Sequence, residues 1–199
     1  MSTLSTTNLK NASSGSNNIV LATDGSATIA TLSSTTITGT TIQGTIKSGT
    51  SVASTSGTAI DFTSIPSWVK RVTVMFNGVS TSGTADLLIQ LGDSGGVETT
   101  GYLGAASNFS STVSTSSYTA GFGITSASAA NVVHGSFALT FLGSNTWTMA
   151  GVIARSNAAN TIITAGSKNL SDTLDRVRIT TSNGTDTFDA GSINILYEG

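Results

Sequence analysis

The segment Val69-Lys-Arg-Val-Thr-Val-Met-Phe-Asn-Gly78 alternates apolar and polar side chains from its third residue onward. Successive side chains of an extended strand point to opposite sides, so Val72, Val74 and Phe76 share one face. β-Branched and aromatic residues favour this conformation. The segment therefore predicts a strand with one buried face, and Asn77-Gly78 predicts a hairpin turn at its end.

Short segments of the same kind recur through residues 59–199, with turn signals between them. Strands are predicted at 60–62, 86–91, 98–103, 117–124, 132–142, 146–154, 161–164, 175–181 and 192–198. Many short strands at regular spacing are typical of a β-sandwich, and a jelly roll is the favoured topology. We therefore expect a C-terminal β-sandwich knob over residues 59–199.

The composition also indicates an all-β protein. Ser and Thr make up 67 of the 199 residues, and 9% of the chain is charged, against about 25% in ordinary globular proteins. A hydrophobic content of 38% argues against intrinsic disorder. The net charge of −2 argues against a nucleic-acid partner.

The absence of cysteine excludes disulfides and thiolate sites. No apolar run reaches the length of a membrane span, so membrane insertion is not expected. The N-terminal residues lack a basic region followed by an apolar one, so they do not predict a secretory signal. A protein of this kind that acts outside the cell would leave it by lysis.

Residues 27–58 are rich in Ser, Thr and Gly and contain a ladder of isoleucines in Thr35-Thr-Ile-Thr-Gly-Thr-Thr-Ile-Gln-Gly-Thr-Ile46. Ile37, Ile42 and Ile46 cannot form a core within one chain. Copies of the chain meeting around an axis could bury them against each other, which predicts an intertwined oligomeric β stem. Isoleucine burial by itself does not offset the entropy of ordering such a segment, so a stem would need support from both ends. A flexible linker is the alternative.

Residues 1–26 predict two short extended pieces around the polar loop 11–18. Leu4 and Leu9 belong to the first piece, and Ile19 and Leu21 to the second. The following Asp24-Gly25 is a strong turn signal.

Parts of the chain resemble tail-fibre and other virion fibre proteins of marine phages, especially cyanophages. The N-terminal likeness lies in Ser2-Thr-Leu-Ser-Thr-Thr-Asn-Leu9 and Asn17-Asn-Ile-Val-Leu21. The C-terminal likeness lies in Ile65-Pro-Ser-Trp-Val-Lys-Arg-Val-Thr-Val-Met-Phe-Asn-Gly-Val79 and Ile89-Gln-Leu-Gly-Asp-Ser-Gly-Gly96. The resemblance implies a homotrimeric virion protein whose N-terminus, with Leu4, Leu9, Ile19 and Leu21, docks onto other virion proteins.

The resemblance further implies that the knob faces a host surface, where a glycan or a protein would be its partner. Two alternatives stay open. One is a capsid decoration or capsid fibre protein without a receptor role, and the other is a glycan-degrading tail spike.

Catalytic chemistry has little support in the sequence. The sole histidine, His134, stands at the start of an apolar strand and is expected to be structural. The carboxylate pairs Asp172/Asp175 and Asp186/Asp189 lie near turns, where caps and surface ion pairs explain them. We expect no enzymatic activity, no metal site and no cofactor.

Glycan recognition needs an aromatic platform beside hydrogen-bonding groups. Tyr118 and Tyr102 are the candidate receptor-binding residues, because both neighbour polar segments. Trp147 alternates with polar residues in a strand and is expected in the core.

Overall fold

The computed structural model describes residues 8–9, 19–21, 23, 27–29, 46–125 and 128–199. All regular structure in these residues is β-strand, and every strand pair is antiparallel. This confirms the all-β prediction. A search of the same residues finds no helix able to cross a membrane. The chain divides into two compact units, Met1–Ile42 and Gln43–Gly199.

The first unit contains a sheet of three short strands, β1 Asn8–Leu9, β2 Ile19–Leu21 and β3 Ala27–Ile29. Strand β2 lies in the middle, so that Ile19 is opposite both Leu9 and Ile29. The proposed anchoring residues Leu9, Ile19 and Leu21 thus lie on paired strands. Leu4, Ile37 and Ile42 lie outside the described residues.

The second unit contains the remaining strands. They are β4 Ile46–Ser48, β5 Val52–Ala53, β6 Ala59–Phe62, β7 Arg71–Thr81, β8 Leu87–Asp93, β9 Gly96–Val97, β10 Tyr102–Phe109, β11 Ser114–Tyr118, β12 Phe122–Ile124, β13 Val133–Gly143, β14 Thr146–Arg155, β15 Asn160–Asn169, β16 Arg176–Thr181 and β17 Phe188–Glu198. They form two sheets. The large sheet has the order β11-β10-β15-β14-β13-β7-β17-β4, with β5 also paired to β17, and the small sheet has the order β12-β8-β16-β6, with β9 paired to β8.

The two sheets share one hydrophobic core, consistent with a β-sandwich. Alternation places Val72, Val74 and Phe76 of β7 inside the protein, as the sequence pattern predicts. Ile89 of β8 and Ile179 of β16 lie opposite each other in the small sheet and are fully buried. The inward faces of both sheets therefore supply the core.

The predicted turn at Asn77-Gly78 is wrong, because β7 continues through it to Thr81. Gly78 has a φ of +68°, and Gly191 on the neighbouring β17 has a φ of +90°. The strand registers shift at this level on both sides of β7. The Gly78 N–H donates to Nδ1 of His134 at 3.2 Å, which gives that histidine a structural role. The left-handed glycine serves a β-bulge, because both edges of β7 are paired.

Several predicted strands have other bounds in the structure. Strand β15 spans Asn160–Asn169 rather than 161–164, and β17 begins at Phe188 rather than at 192. Residues 98–101 are not in a strand, and β10 begins at Tyr102. Residues 117–124 divide between β11 of the large sheet and β12 of the small sheet. Gly121 lies at the crossing, where a Cβ would approach the Leu88 side chain to 3.0 Å. A run of sequence with strand propensity cannot show that the chain changes sheets within it.

Residues expected in the stem also pair with the knob. Strands β4 and β5 lie along β17, and the N–H of Gly49 donates to the carbonyl of Ile195 at 2.7 Å. Ile46, one of the three proposed stem isoleucines, lies on β4 at the edge of the large sheet and is 59% exposed.

A polar network joins the β8–β9 hairpin to the segment after β15. The hydroxyl of Ser171 donates to Oδ2 of Asp93 at 2.6 Å, and its N–H donates to Oε1 of Glu98 at 2.7 Å. Lys168 forms an ion pair with Glu98. The hydrogen bond from Ser171, followed by that from the Gly95 N–H, lowers the pKa of the Asp93 carboxyl.

Substitution Gly191→Ala should destabilise the protein far more than Gly184→Ala. Both glycines have positive φ, which costs alanine about 1–2 kcal/mol. A Cβ at Gly184 meets open space, whereas one at Gly191 overlaps the backbone of Gly78. This overpacking should cost about 1–3 kcal/mol more. Urea unfolding of the two variants measures the difference, and equal losses of unfolding free energy would contradict the bulge geometry.

Substitution Ser171→Ala should lower stability at neutral pH and have less effect in acid. The depressed pKa of Asp93 contributes stability above its unfolded value of about 3.9, and this stability is lost as the pH falls through the folded pKa. Removing the Ser171 hydroxyl raises the folded pKa, so the Tm gap to the parent protein should close below about pH 4. Ser94→Ala, an exposed change in the same hairpin, is the control and should follow the parent profile. A gap that stays constant with pH would contradict the electrostatic role.

Candidate functional site

The outward-facing side of the large sheet carries a row of small residues. Ala105 is opposite Ala165, Ala165 is opposite Ala150, and Ala150 is opposite Ala138 across four neighbouring strands. The first three are exposed and Ala138 is half-buried. Alanine has no atoms beyond Cβ, so this row forms a flat strip that a second surface can approach closely.

Larger apolar side chains flank the alanine row. Ile163 on β15 lies opposite Val152 on β14, and they are 45% and 48% exposed. Leu103 and Phe109, on β10, are 74% and 45% exposed. Soluble monomers seldom expose contiguous apolar patches beyond a few hundred Å², and larger ones mark interaction sites.

The same side of the sheet is free of strongly charged groups from β11 to β13, within the described residues. We call this surface the outer face. Its residues are Leu103, Ala105, Ser107, Phe109, Thr115, Ser117, His134, Ser136, Ala138, Thr140, Thr148, Ala150, Val152, Ala154, Thr161, Ile163, Ala165, Ser167 and Asn169. Beyond it, on β7 and β17, Arg71 and Glu198 neutralise each other in an ion pair of 3.2 Å. A partner would therefore bury almost no unpaired charge here.

A groove of about 370 Å³ lies at the β10–β11 end of the outer face. It is lined by Tyr102, Leu103, Gly104, Ala105, Ser117, Tyr118, Thr119 and Ala165. The proposed receptor-binding residues Tyr102 and Tyr118 thus border one groove. Their rings, however, lie inside the protein.

Tyr102 is 1% exposed and belongs to the core. Its hydroxyl accepts from the Leu91 N–H at 2.6 Å and donates to the Glu98 carbonyl at 2.9 Å. Its ring packs edge-to-face on Phe122, with centroids 5.1 Å apart. Burial raises the pKa of the Tyr102 hydroxyl. The ring presents no free face on which a sugar could stack.

Tyr118 is 9% exposed, and its hydroxyl donates to Oδ2 of Asp86 at 2.7 Å. Burial, followed by that hydrogen bond, raises the pKa of Tyr118 to about 12. Nearby, the buried Arg155 donates to the carbonyl of Thr125, and burial lowers the pKa of its guanidinium. Tyr118 therefore belongs to an internal polar network, and like Tyr102 it lacks an open ring face.

Trp68 is the aromatic residue that the sequence analysis overlooked. It lies after Pro66 in the turn before β7, and it is 38% exposed. The ring of Tyr197 lies 6.0 Å from it at an angle of 52°, and Nζ of Lys47 lies 5.7 Å above it. The sequence signal for this exposure was the position of Trp68 in a proline turn, before the alternation begins at Arg71. Trp147, by contrast, is 2% exposed, as the strand pattern predicts.

A second cleft, of about 330 Å³, lies between the edge strands of the two sheets. It is lined by Ser48, Gly49, Thr50, Asp61, Phe62, Thr63, Ser64, Ile65, Ile195 and Tyr197. We call it the edge cleft. Tyr197 joins it to Trp68.

The acidic pairs named in the sequence analysis have structural partners. Asp175 forms an ion pair with Arg176 at 2.6 Å, and Asp172 accepts from the Thr173 N–H. Asp186 accepts from the Ala85 N–H at 3.0 Å, and Asp189 accepts from the Ser80 hydroxyl. A search of the described chain finds no cluster of three or more His, Cys, Asp or Glu able to hold a metal ion.

Comparison with protein-family models finds no match to the chain. Neither a curated protein nor a solved structure matches it. We therefore infer a function from the surfaces of the described residues.

Proposed function

We propose that this chain is a non-enzymatic structural protein whose sandwich associates with further copies of itself through the outer face. The observation that carries this proposal is the exposed, uncharged apolar surface around Ile163 and Val152. Water contact with such a surface is unfavourable by about 25 cal/mol per Å². Covering it with a partner removes that cost.

A second copy of the chain is the partner that fits this surface best. Charged residues make up 9% of the chain, so a copy offers a surface of matching chemistry. A foreign protein with ordinary charge density would have to desolvate charges against the outer face without finding opposite charges there. The flat alanine row lets the outer faces of three copies approach one another closely around a shared axis.

The outer face also extends over several strands, as an interface between copies requires. Stable interfaces bury roughly 800 Å² on each partner, and the outer face extends across β10, β15, β14 and β13. Leu103 at one edge and Val152 nearer the middle are both largely exposed, so apolar surface extends over several strands.

Together with the sequence resemblance, this favours a phage virion fibre protein. In this proposal three copies assemble, and the N-terminal strands with Leu9, Ile19 and Leu21 dock the fibre onto other virion proteins. The isoleucine segment with Ile37, Ile42 and Ile46 forms the stem, and the sandwich is the trimeric knob directed at a host surface. The protein is made in the host cytoplasm and released in virions by lysis.

Substitution Ile163→Asp should dissociate the assembly without unfolding the sandwich. The full-length parent protein should sediment as a trimer of about 60 kDa, three times the chain mass of 20.0 kDa. A carboxylate at an exposed position costs the monomer little, but it is costly when buried unpaired in an interface. Analytical ultracentrifugation at micromolar concentration should therefore show the variant as a monomer, and its far-UV circular dichroism spectrum should remain that of the folded parent protein.

The matched control is Thr185→Asp, which adds the same charge at an exposed loop position. It should remain trimeric. A monomeric parent protein, or a trimeric Ile163→Asp variant, would show that the outer face does not hold copies together. Immunogold labelling of particles from the phage that encodes the chain then tests the virion assignment, which fails if particles are unlabelled.

A further inference from the structure

The edge cleft is polar at its rim and closed by core residues at its base. The cleft is lined by Ser48 of β4, by Thr50 between β4 and β5, and by Thr63 and Ser64 from the segment after β6, and all four are exposed. Phe62, like Ile195, is buried. The volume of about 330 Å³ lies at the lower end of the range of small-molecule sites.

The charged group that lines the cleft is neutralised within the protein. Asp61 receives two hydrogen bonds from Arg178, at 2.7 and 2.8 Å, in a bidentate pair. The cleft therefore presents hydroxyl and backbone groups rather than a free charge. These groups both donate and accept hydrogen bonds, which suits a neutral polyhydroxylated ligand.

An exposed aromatic ring stands beside this polar cleft. Trp68 is held by the ring of Tyr197, which itself lines the cleft, and by the Lys47 cation above the indole. More than a third of Trp68 stays open to solvent. An aromatic body with polar groups around it can cover the apolar C–H face of a sugar ring while the hydroxyls find partners.

Backbone strain marks the same place. Ser64 has a φ of +61°, which L residues other than Asn and Asp seldom adopt. Such strain clusters at ligand sites. It lies at a residue that lines the cleft.

We propose that the edge cleft binds one sugar unit of a neutral oligosaccharide, with the next unit stacked on Trp68. This deepens the proposed function, because it names a glycan as the host-surface group that the knob meets. It uses the opposite edge of the large sheet from the β10–β11 groove, so binding and assembly are separable.

The test is a titration of the full-length protein with maltotriose, cellotriose, chitotriose and mannotriose, followed by amide and indole resonances in NMR spectra. At least one of the four sugars should shift the indole resonance of Trp68 and the amide resonances of Gly49, Thr63 and Ser64. Trp68→Ala should weaken binding about tenfold or more, and Trp68→Phe should retain most of it. Val113→Ser, an exposed change in the loop between β10 and β11, is the control and should bind as the parent protein does.

Three results would overturn the proposal. The first is that none of the four sugars causes a saturable shift. The second is that Trp68→Ala leaves the affinity unchanged. The third is that binding disappears between roughly 50 and 500 mM NaCl, which would show that the contact depends on charge. The Ile163→Asp variant separates the two proposals. It should bind sugar as a monomer. A parent protein that binds sugar but does not assemble would count against the outer face and not against the cleft.

Discussion

The pairing of β7 on both of its edges is the constraint on which the sandwich depends. Strand β13 lies along one edge and β17 along the other, over most of the eleven residues of β7. Its inward residues Val72, Val74 and Phe76 are at most 4% exposed, so a shift of one residue in either pairing would turn apolar side chains toward solvent. The bulge at Gly78 and Gly191 fixes that register, because the two backbones meet there and Gly191 has no space for a side chain.

Local sequence patterns predicted much of this architecture. They fail where neighbouring strands, rather than the local sequence, decide the conformation of the backbone. Strands such as β13 and β14 can be predicted from the sequence, because the alternation of apolar residues indicates which face of the strand is buried. Asn77-Gly78 failed as a turn because a left-handed glycine serves a turn or a bulge equally well, and the neighbouring strands decide which. The sequence does not show that β11 and β12 belong to different sheets, because the crossing at Gly121 depends on packing against β8.

The candidate surfaces were less predictable than the fold, again for physical reasons. The row from Ala105 to Ala138 exists only through the registers of four strands, and no local spacing reveals it. Tyr102 and Tyr118 looked suitable as binding residues because polar segments surround them. Their hydroxyls instead hydrogen-bond to buried and half-buried groups, which draws both rings inside. Trp68 stays exposed because it lies in a turn, outside either sheet.

Strands β4 and β5 pair with β17 over only a few residues, so we expect them to detach before any other strand of the sandwich when the chain is pulled from its N-terminal side. Such a force acts on the sandwich first at Ile46, the first residue of β4. The pairings of β4 and β5 with β17 are two or three residues long, whereas β7, β13 and β14 are ten or eleven residues long, so the short pairings should break first. Peeling would stop at Ser54, whose buried side chain donates to the Ala190 carbonyl at 2.7 Å. The detached segment from Ile46 to Ser54 would lengthen the connection to the sandwich by roughly 25–30 Å, at about 3.3–3.6 Å per residue. A sudden load would then be absorbed by this segment while the hydrophobic core stays folded.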